Sequence, residues 1–392
     1  MKIAMVVHSY YPNDVRVRRE CEALADLGDS VDLICLRKNG ERSREQIDNV
    51  EVRRLPVQHN RGQGPLGYIK EYLSFFFRAA FTLTRLYLTQ KYPIIQVHNL
   101  PDFLVFVTLI PKLLGAKVVL DMHDITPELF QSLYGISDDS KTFRLLTFVE
   151  QLSLFYADLV ITVNKNIRDL FLTRNQIAHK LEVVMNAPDP RYFNENGSAT
   201  NGIKGAFKLF LHGQILRRYN FESALEGFDL ARREIPELEL DIYGDGERQY
   251  IDELQEFVLA RGIREDVRFH NRVPVERVPD LIRKADLGLV PCEKDVFVDK
   301  VMLPVRLLEY VTMGLPAVVS RVGTVESYFG ESEVAYYPYD DPRALARRIV
   351  ELYRNPKQRT EMARRAKNAF RSYEWPRMQT RYYNALDGLL SR

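Results

Sequence analysis

The segment 303–320 holds the strongest arrangement of residues in this sequence for binding a charged ligand. It reads Leu-Pro-Val-Arg-Leu-Leu-Glu-Tyr-Val-Thr-Met-Gly-Leu-Pro-Ala-Val-Val-Ser. The pattern predicts a helix that begins at Pro304 and ends near Met313, with Gly314 as its cap and a buried strand after it. The first N–H groups of such a helix have no partner inside it, and the helix dipole adds positive charge there. This helix end is therefore predicted to bind a diphosphate.

Two charged residues lie on that predicted helix. The carboxylate of Glu309 could accept hydrogen bonds from ribose hydroxyls, and Arg306 lies three residues before it. Residues at this spacing also form ordinary ion pairs on solvated helix surfaces. Spacing alone gives the two interpretations about equal weight.

Three histidines come at the carboxyl ends of predicted strands, where ligands bind in parallel α/β sheets. His123 follows the strand 117–121 and precedes Asp124, and His98 follows the strand 94–97. A single histidine more often makes a structural hydrogen bond than takes part in catalysis. His98 has even odds of lining an acceptor site, and His8, at a third strand end, is the weakest candidate.

Gly244 and Gly246 flank Asp245 after another predicted strand. Such glycines can form a phosphate-binding nest, although turn geometry is the favoured interpretation here. A buried diphosphate needs cationic or N–H partners, and many enzymes supply a divalent metal through an Asp-x-Asp pair. No Asp-x-Asp occurs in this sequence. We therefore predict no metal and no cofactor, with arginine and the helix dipole balancing the charge.

Short β-branched runs alternate with helical stretches, which indicates βαβ units and parallel sheets. The predicted strands of the first half are 2–7, 30–36, 94–97, 117–121, 159–163 and 181–184. Those of the second half are 208–212, 238–243, 267–269, 287–290 and 317–320. Residues 103–114 are predicted to form a helix kinked at Pro111. The polar, glycine-rich stretch 194–205 is the best candidate linker.

The chain has 392 residues, which suggests two domains. We predict an α/β fold with two doubly wound, Rossmann-like domains, 1–190 and 206–372, facing a central cleft. Residues 373–392 are predicted to form a helix that packs back on the first domain.

Composition limits the partners and the compartment. The formal charge is +2, so no strong nucleic-acid footprint is expected. Three cysteines without metal-ligand spacing fit a reducing cytoplasm. The aromatic segment 66–88 is interrupted by four charged residues, so it is predicted to be a helix rather than a membrane span. Peripheral membrane contact by this helix is an alternative, and a mostly buried packing helix is favoured about two to one.

Several motifs, in order along nearly the whole chain, resemble glycosyltransferase family 4, a family of retaining enzymes with the GT-B fold. They are Asn13-Asp-Val-Arg-Val-Arg-Arg-Glu, Asp121-Met-His-Asp-Ile-Thr-Pro-Glu, Tyr243-Gly-Asp-Gly, Ala285-Asp, the segment from Glu309 to Gly314-Leu-Pro, and Tyr373-Glu-Trp. The resemblance implies transfer of a hexose-type sugar from a UDP- or GDP-sugar to a hydroxyl of a glycan, lipid-linked or small-molecule acceptor. It implies a cytoplasmic enzyme of polysaccharide biosynthesis, with a position at the inner face of the membrane as an alternative.

The resemblance also implies roles for individual residues. His123 and Glu309 would be the catalytic pair, with His123 contacting the transferred sugar and Glu309 holding the donor ribose. The remaining site candidates are, on the donor side, Gly213, Arg217, Arg218, Gly244, Met302, Leu303, Pro304 and Arg306, and on the acceptor side Asp14, Arg16, His98 and Asn99.

The sequence departs from the family pattern at three positions. Val301 replaces the first glutamate of the family's pair, and Gln214 and Tyr219 stand at basic positions of the second domain. Two alternatives are left open, the first because a fold does not fix the reaction and the second because of these departures. The protein could be a sugar-nucleotide epimerase or hydrolase on the same fold, or a degenerate, non-catalytic sugar-nucleotide-binding subunit.

Overall fold

The computed structural model describes residues 1–59, 65–194 and 205–391, and it divides the chain into two units. Unit 1 comprises Met1–Asn186 and Met378–Arg392, and unit 2 comprises Ala187–Arg377. Most of the predicted linker, residues 195–204, lies outside the described residues. No helix in the described ranges is both long enough and apolar enough to cross a membrane.

Unit 1 contains an eight-stranded sheet in the order β3-β4-β2-β1-β5-β6-β7-β8. All of its strand pairs are parallel except β3 with β4. The strands are β1 Lys2–Val6, β2 Ser30–Leu36, β3 Arg44–Ile47, β4 Val50–Leu55, β5 Ile94–His98, β6 Lys117–Met122, β7 Leu159–Thr162 and β8 Leu181–Val183. Its helices are α1 Val15–Asp26, α2 Pro65–Gln90, α3 Leu109–Leu113, α4 Thr126–Tyr134, α5 Lys141–Tyr156 and α6 Lys165–Arg174.

Unit 2 contains a six-stranded parallel sheet in the order β11-β10-β9-β12-β13-β14. The strands are β9 Phe207–Ile215, β10 Leu238–Gly246, β11 Val267–Asn271, β12 Leu287–Val290, β13 Ala317–Ser320 and β14 Ala335–Tyr337. The helices that follow along the chain are α7 Phe221–Arg232, α8 Arg248–Ala260, α9 Val278–Ile282, α10 Val296–Lys300, α11 Val305–Thr312, α12 Gly323–Glu326, α13 Pro342–Arg354, α14 Pro356–Phe370 and α15 Trp375–Leu390.

The last helix, α15, runs from the end of unit 2 into unit 1. Inside unit 1, the hydroxyl of Tyr382 donates to Gln96 Oε1 at 2.6 Å, and Gln96 lies on the central strand β5. Tyr382 is fully buried. A buried hydrogen bond of this kind fixes the helix against the sheet, because breaking it would leave an unpaired polar atom in the core.

Three elements differ from the sequence-based prediction. The hairpin β3–β4 was not predicted, because its residues are mostly polar, yet Asp48 and Asn49 make its tight turn with φ of 45° and 64°. The short edge strand β14 was also missed. The predicted helix 103–114 is instead a 3-10 helix, Asp102–Thr108, followed by α3, so Pro111 falls in the first turn of a new helix, where a missing N–H costs little.

The helix α2 also differs from the favoured prediction of a mostly buried packing helix. One face is buried in the core of unit 1 through Phe75, Ala79, Leu83 and Tyr87. Large apolar side chains on the opposite face remain exposed. The helix is therefore a half-buried element with an apolar outer face.

Candidate functional site

The helix α11 is held close to the sheet of unit 2 by its buried tyrosine. The hydroxyl of Tyr310 donates to the backbone oxygen of Phe210 in β9 at 3.2 Å. Its ring lies over Gly288 in β12, where an added Cβ would come within 2.4 Å of the ring. Only a glycine at this position lets the helix approach so closely. This packing fixes the position of the two charged residues of α11.

Arg306 is a buried cation in the first turn of α11. Its side chain lies over the ring of Tyr219, with Cζ 4.2 Å from the ring centroid, and the residue is only 7% exposed. Across the described parts of the chain, no carboxylate lies within 4.0 Å of it, and its Nη1 has no hydrogen-bond partner. The solvated Arg306–Glu309 pair considered from the sequence is therefore wrong.

Glu309 is directed at a histidine that the sequence analysis did not select. Its Oε2 lies 2.9 Å from Nε2 of His212, the residue at which strand β9 was predicted to end. Both side chains are nearly buried. His212 also stacks on Phe210 and meets Tyr310 edge-on. The signal available in the sequence was a histidine at a strand end, the same signal that selected His98 and His123.

The two adjacent arginines after β9 have different environments. Arg217 is mostly exposed, and its guanidinium is bound by Glu253 at 2.5 Å. Arg218 lies over the ring of Phe297 at 5.3 Å, is partly buried, and has no ion pair among the described residues. The sequence could not choose between them. The structure leaves Arg218 as the one available to an anion in this loop.

The segment before α11 uses part of its backbone internally. The N–H of Met302 donates to Phe297 at 2.9 Å, so it is not available to a phosphate as predicted. Leu303 follows, and Pro304 occupies the N-cap position of α11. Val301 is buried, and Asp299, the acidic residue before it, accepts a hydrogen bond from the N–H of Gly323 at 2.7 Å. Asp299 is therefore engaged at the start of α12.

Gly213 and Gly244 lie side by side on paired strands rather than in turns. They are in register in the β9–β10 pair, which continues to Gly246, so the turn predicted at 244–246 is wrong. A Cβ on Gly244 would come within 2.1 Å of the backbone oxygen of Gly213. Gly213 has φ of 118°, and the guanidinium of Arg306 lies where its side chain would be. The glycines are needed for close approach of the strands and of Arg306.

In unit 1, two predicted histidines converge on one aspartate at the carboxyl edge of the sheet. His98 Nδ1 lies 2.8 Å from Asp121 Oδ2, and His123 Nδ1 lies 3.8 Å from the same oxygen. Burial lowers the pKa of His98, but the bonded Asp121 and the carboxylates of Glu20 and Asp14 outweigh this and raise it above its usual value. His98 is fully buried, whereas a small part of His123 reaches solvent.

Asn99 was predicted to lie on the acceptor side, and in the structure its side chain holds two loops together by hydrogen bonds. Its side-chain oxygen accepts from the N–H of His123 at 3.0 Å, and its amide nitrogen donates to Asp102 at 3.0 Å. It thereby ties the loop after β5 to the loop after β6. Since it is also buried, Asn99 positions His123 and does not present a free surface.

Asp14 and Arg16 form a charged pair at the start of α1. Arg16 Nη2 lies 3.4 Å from Asp14 Oδ2. Burial opposes ionisation of Asp14, but Arg16, His123 and His98 lower its pKa to about 2. Its coupling to these histidines means that Asp14 belongs to the same electrostatic cluster. Unit 1 therefore groups Asp14, Arg16, His98 and His123, as the parallel-sheet rule predicts.

Glu20 was missed by sequence reasoning. It lies on the buried side of α1 and accepts a hydrogen bond from Gln96 Nε2 at 2.7 Å. Burial, together with the nearby Asp121, raises the pKa of Glu20 to about 7. No sequence signal marks it, because a glutamate in an amphipathic helix usually faces water.

One group in the described residues has donor atoms close enough to hold a metal. It comprises His98, Asp121 and His123, whose ligand atoms lie within 4.8 Å of one another. Two imidazoles and a carboxylate are a plausible donor set for a transition metal. However, the 2.8 Å contact between His98 and Asp121 is an ordinary hydrogen-bond distance that needs no metal. The absence of a metal stays a prediction.

Two family models match the chain over most of its length. The model for glycosyl transferases group 1 matches residues 194–369, and that for a glycosyl transferase 4-like domain matches residues 14–187. A search of curated proteins found no match.

Solved structures share the fold along the whole chain. Sucrose-phosphate synthase from Thermosynechococcus elongatus is 17% identical with a TM-score of 0.75, covering 100% of this chain and 99% of its own. Anabaena HepE in complex with UDP and glucose is 16% identical with a TM-score of 0.73, covering 99% and 100%. The Escherichia coli trehalose-6-phosphate protein bound with UDP-2-fluoro glucose is 12% identical with a TM-score of 0.72, covering 100% and 99%. The chain therefore belongs to the glycosyltransferases of the family 4 type and has their GT-B fold.

Proposed function

We propose that this glycosyltransferase moves a hexose-type sugar from a UDP- or GDP-sugar to a hydroxyl of a glycan, lipid-linked or small-molecule acceptor. We further propose that the anomeric configuration is retained and that no metal is required. The observation that carries the proposal is Arg306, a buried guanidinium without an ion pair among the described residues.

An unpaired buried cation destabilises the folded state, because the free energy lost when a charge leaves water is offset only by a partner of opposite charge. The cation–π contact with the ring of Tyr219 offsets a part of this desolvation penalty. A diphosphate bound beside Arg306 would offset the remainder. The same ion would also meet the N-terminal end of α11, where the helix dipole favours negative charge.

Arg218 is the second cation that we assign to the diphosphate. It lies in the same unit as Arg306, and Tyr219 connects them, because it follows Arg218 in the chain and its ring stacks on Arg306. Two guanidiniums and a helix end can offset the charge of a leaving diphosphate without a divalent cation. Metal independence therefore rests on these groups.

We assign Glu309 to the donor ribose, with His212 as its positioning residue. His212 Nε2 lies 2.9 Å from Glu309 Oε2 but lacks hydrogen-bond geometry, so His212 would hold the carboxylate in place by packing and leave its oxygens for a ribose hydroxyl. In unit 1, His123 would contact the transferred sugar, as the family resemblance implies. The side chain of Asn99 would fix the backbone of His123, and the carboxylate of Asp121 lies 3.8 Å from its Nδ1, which is close enough to act on the ring electrostatically.

Catalysis in this proposal rests on positioning and electrostatics, because no side chain of the candidate site is an evident nucleophile. The glycosidic bond to the diphosphate breaks as the bond to the acceptor oxygen forms, and the proton of the acceptor hydroxyl passes to an oxygen of the departing diphosphate. Arg306, Arg218 and the end of α11 would stabilise the departing diphosphate, which is where negative charge develops.

UDP is the first nucleotide to test, because HepE was crystallised with UDP and glucose and the Escherichia coli protein with UDP-2-fluoro glucose. The three cysteines are free and buried, in keeping with the proposed cytoplasmic location.

The test is turnover of UDP- and GDP-hexoses with a panel of acceptors, following release of the nucleoside diphosphate and the anomeric configuration of the product by NMR. We expect acceptor-dependent release, retention, and no loss of rate in EDTA. Interconversion of the donor sugar without acceptor would instead identify an epimerase, and release to water a hydrolase. Tight donor binding without turnover across the panel would identify a non-catalytic subunit.

A further inference from the structure

The outer face of α2 carries large apolar side chains that the fold does not cover. Phe77 is 67% exposed and Phe81 is 71% exposed, and Leu73 and Leu88 lie on the same helical face. The opposite face of the helix fills the core of unit 1. Core packing therefore accounts for the inner residues only. Phe77 meets the ring of its chain neighbour Phe76 at 5.4 Å between centroids, and most of its surface stays open to solvent.

The helix α5 repeats this pattern. Leu145, Phe148, Leu152 and Phe155 follow one another along one face, and all four are exposed, with Phe155 at 78%. The inner face is buried through Glu150, Ser153 and Leu154. Apolar side chains at these intervals form a continuous stripe on a helix.

The two helices lie in one layer of unit 1, joined by the 3-10 helix 102–108. Phe76 of α2 contacts Phe103 at 6.0 Å between ring centroids, and Phe106 contacts Tyr156 of α5 at 5.0 Å. The short helix α3, with its exposed Leu113, is attached to α2 through the hydrogen bond from Tyr87 to Leu114 at 3.0 Å. We call the exposed face of α2, α3 and α5 the outer surface.

The basic residues of α2 lie on its exposed face, and its acidic residue is turned inward. Lys70, Arg78 and Arg85 are exposed, and none has an ion pair among the described residues. The only carboxylate of the helix, Glu71, is turned inward, where it meets His8 at 3.1 Å and His59 at 2.7 Å. The exposed side of α2 is therefore apolar and cationic.

The same sorting occurs on α5. Lys141 and Arg144 are exposed, whereas its one carboxylate, Glu150, is buried and contacts Arg174 at 3.2 Å. The exposed acids beside this helix are Asp138 and Asp139, in the loop that precedes it, and Asp139 Oδ1 lies 3.7 Å from Arg144 Nη2 in a solvent-exposed ion pair. Among the described residues, Lys141 therefore adds the unpaired positive charge of this helix, and Arg144 has an exposed partner that lipid phosphate can replace. Aromatic and aliphatic side chains among basic residues are the composition of helices that bind lipid surfaces.

We propose that the outer surface binds the face of an anionic lipid bilayer, with Phe77, Phe81 and the α5 stripe entering the headgroup region and the basic residues contacting lipid phosphates. A second copy would bring further unpaired cations to this surface, whereas anionic headgroups supply the opposite charge. The proposal does not depend on the transfer reaction, since it concerns another surface of the molecule and is tested without donor.

The experiment is sedimentation of the full chain with vesicles, either of phosphatidylcholine alone or of an equimolar mixture of phosphatidylcholine and phosphatidylglycerol. We expect binding to the mixed vesicles that weakens with salt, since each basic residue near an anionic surface contributes roughly fivefold to partitioning. Replacing both Phe77 and Phe81 by serine should lower partitioning about tenfold or more. Replacing Arg78 and Arg85 by glutamate should abolish the preference for anionic lipid.

Matched controls separate this surface from general effects. Leu259 of α8 is 60% exposed, so Leu259→Ser removes a comparable apolar side chain from unit 2, and Lys357→Glu reverses an exposed charge there. Both should leave binding unchanged. Failure of the unaltered chain to bind mixed vesicles at low salt, or equal losses in the controls, would overturn the proposal. So would a dimer in analytical ultracentrifugation that Phe77→Ser/Phe81→Ser dissociates, because the surface would then be a protein interface.

Discussion

Replacing Arg306 by methionine should stabilise the ligand-free protein while weakening its binding of nucleotide. The side chain is buried and lacks an ion pair in the described residues, so it keeps an unfavourable charge in the folded state. The desolvation penalty of a buried guanidinium is several kcal/mol, and the cation–π contact with Tyr219 offsets about 1–2 kcal/mol of this penalty. Methionine retains an apolar stem of similar length, so the expected net gain is about 1–2 kcal/mol.

Two measurements follow from this reasoning. The midpoint of thermal unfolding should rise by roughly 2–4 °C for each kcal/mol gained, as is usual for a domain of this size. In calorimetry, loss of charge-assisted hydrogen bonds worth about 1.5–3 kcal/mol should weaken UDP binding by roughly 10-fold to 150-fold. Arg306→Met should therefore raise the midpoint of thermal unfolding and lower the UDP affinity. Replacing a residue that only supports the fold would lower both.

Arg217→Met is the matched control, since it removes an arginine of the neighbouring loop. Arg217 is mostly exposed and paired with Glu253, so its loss should leave both the stability and the UDP affinity nearly unaltered. If Arg306→Met destabilised the protein and bound UDP as tightly as the unaltered chain, Arg306 would be structural and the assigned anion site would be wrong.

Three further predictions concern the strands and the titratable groups. Gly244→Ala should lower the free energy of unfolding, because its Cβ would meet a backbone oxygen at 2.1 Å, and the displaced strand should weaken UDP binding. Gly388→Ala, in open space, should instead raise the free energy of unfolding by about 0.5–1 kcal/mol. Chemical denaturation measures both stabilities, and calorimetry measures the UDP affinity. In the folded protein the pKa of Glu20 is raised to about 7 from a usual value of 4.5, so the stability contributed by protonated Glu20 is lost as the pH rises from 4.5 to 7. Glu20→Gln should remove up to about 3 kcal/mol of this pH dependence. A pH profile of urea unfolding that is the same in the variant and the unaltered chain would refute the prediction. His212→Gln should raise the Kd for UDP more than that for inorganic pyrophosphate, because it frees Glu309 but leaves the arginines in place; equal losses would count against a ribose role.

The alternation of short apolar runs and helices was sufficient to predict two parallel α/β domains and the strands nearest the centre of each sheet. Buried parallel strands are apolar throughout, so a one-dimensional pattern detects them. The sequence pattern did not predict the edge hairpin β3–β4, because one side of an edge strand faces water and keeps polar residues. The glycines at 244 and 246 were taken for a turn because close approach between strands leaves no mark distinct from turn chemistry.

At the candidate site, the sequence determined which residues come to the ends of strands. His98 and His123 are brought together because neighbouring parallel strands end at one edge. The family resemblance selected Glu309 and the arginines as candidates, and their roles stay a prediction. The GT-B fold that the resemblance implied is confirmed.

Only the tertiary structure decided what each side chain contacts. It separated Arg218 from the engaged Arg217, showed Arg306 buried beside Tyr219, and joined Glu309 to His212. It also showed that the cations of α2 lie outside and that Glu71 lies inside. These facts depend on pairs of atoms far apart in the chain, and local propensity and periodicity carry no information about such pairs.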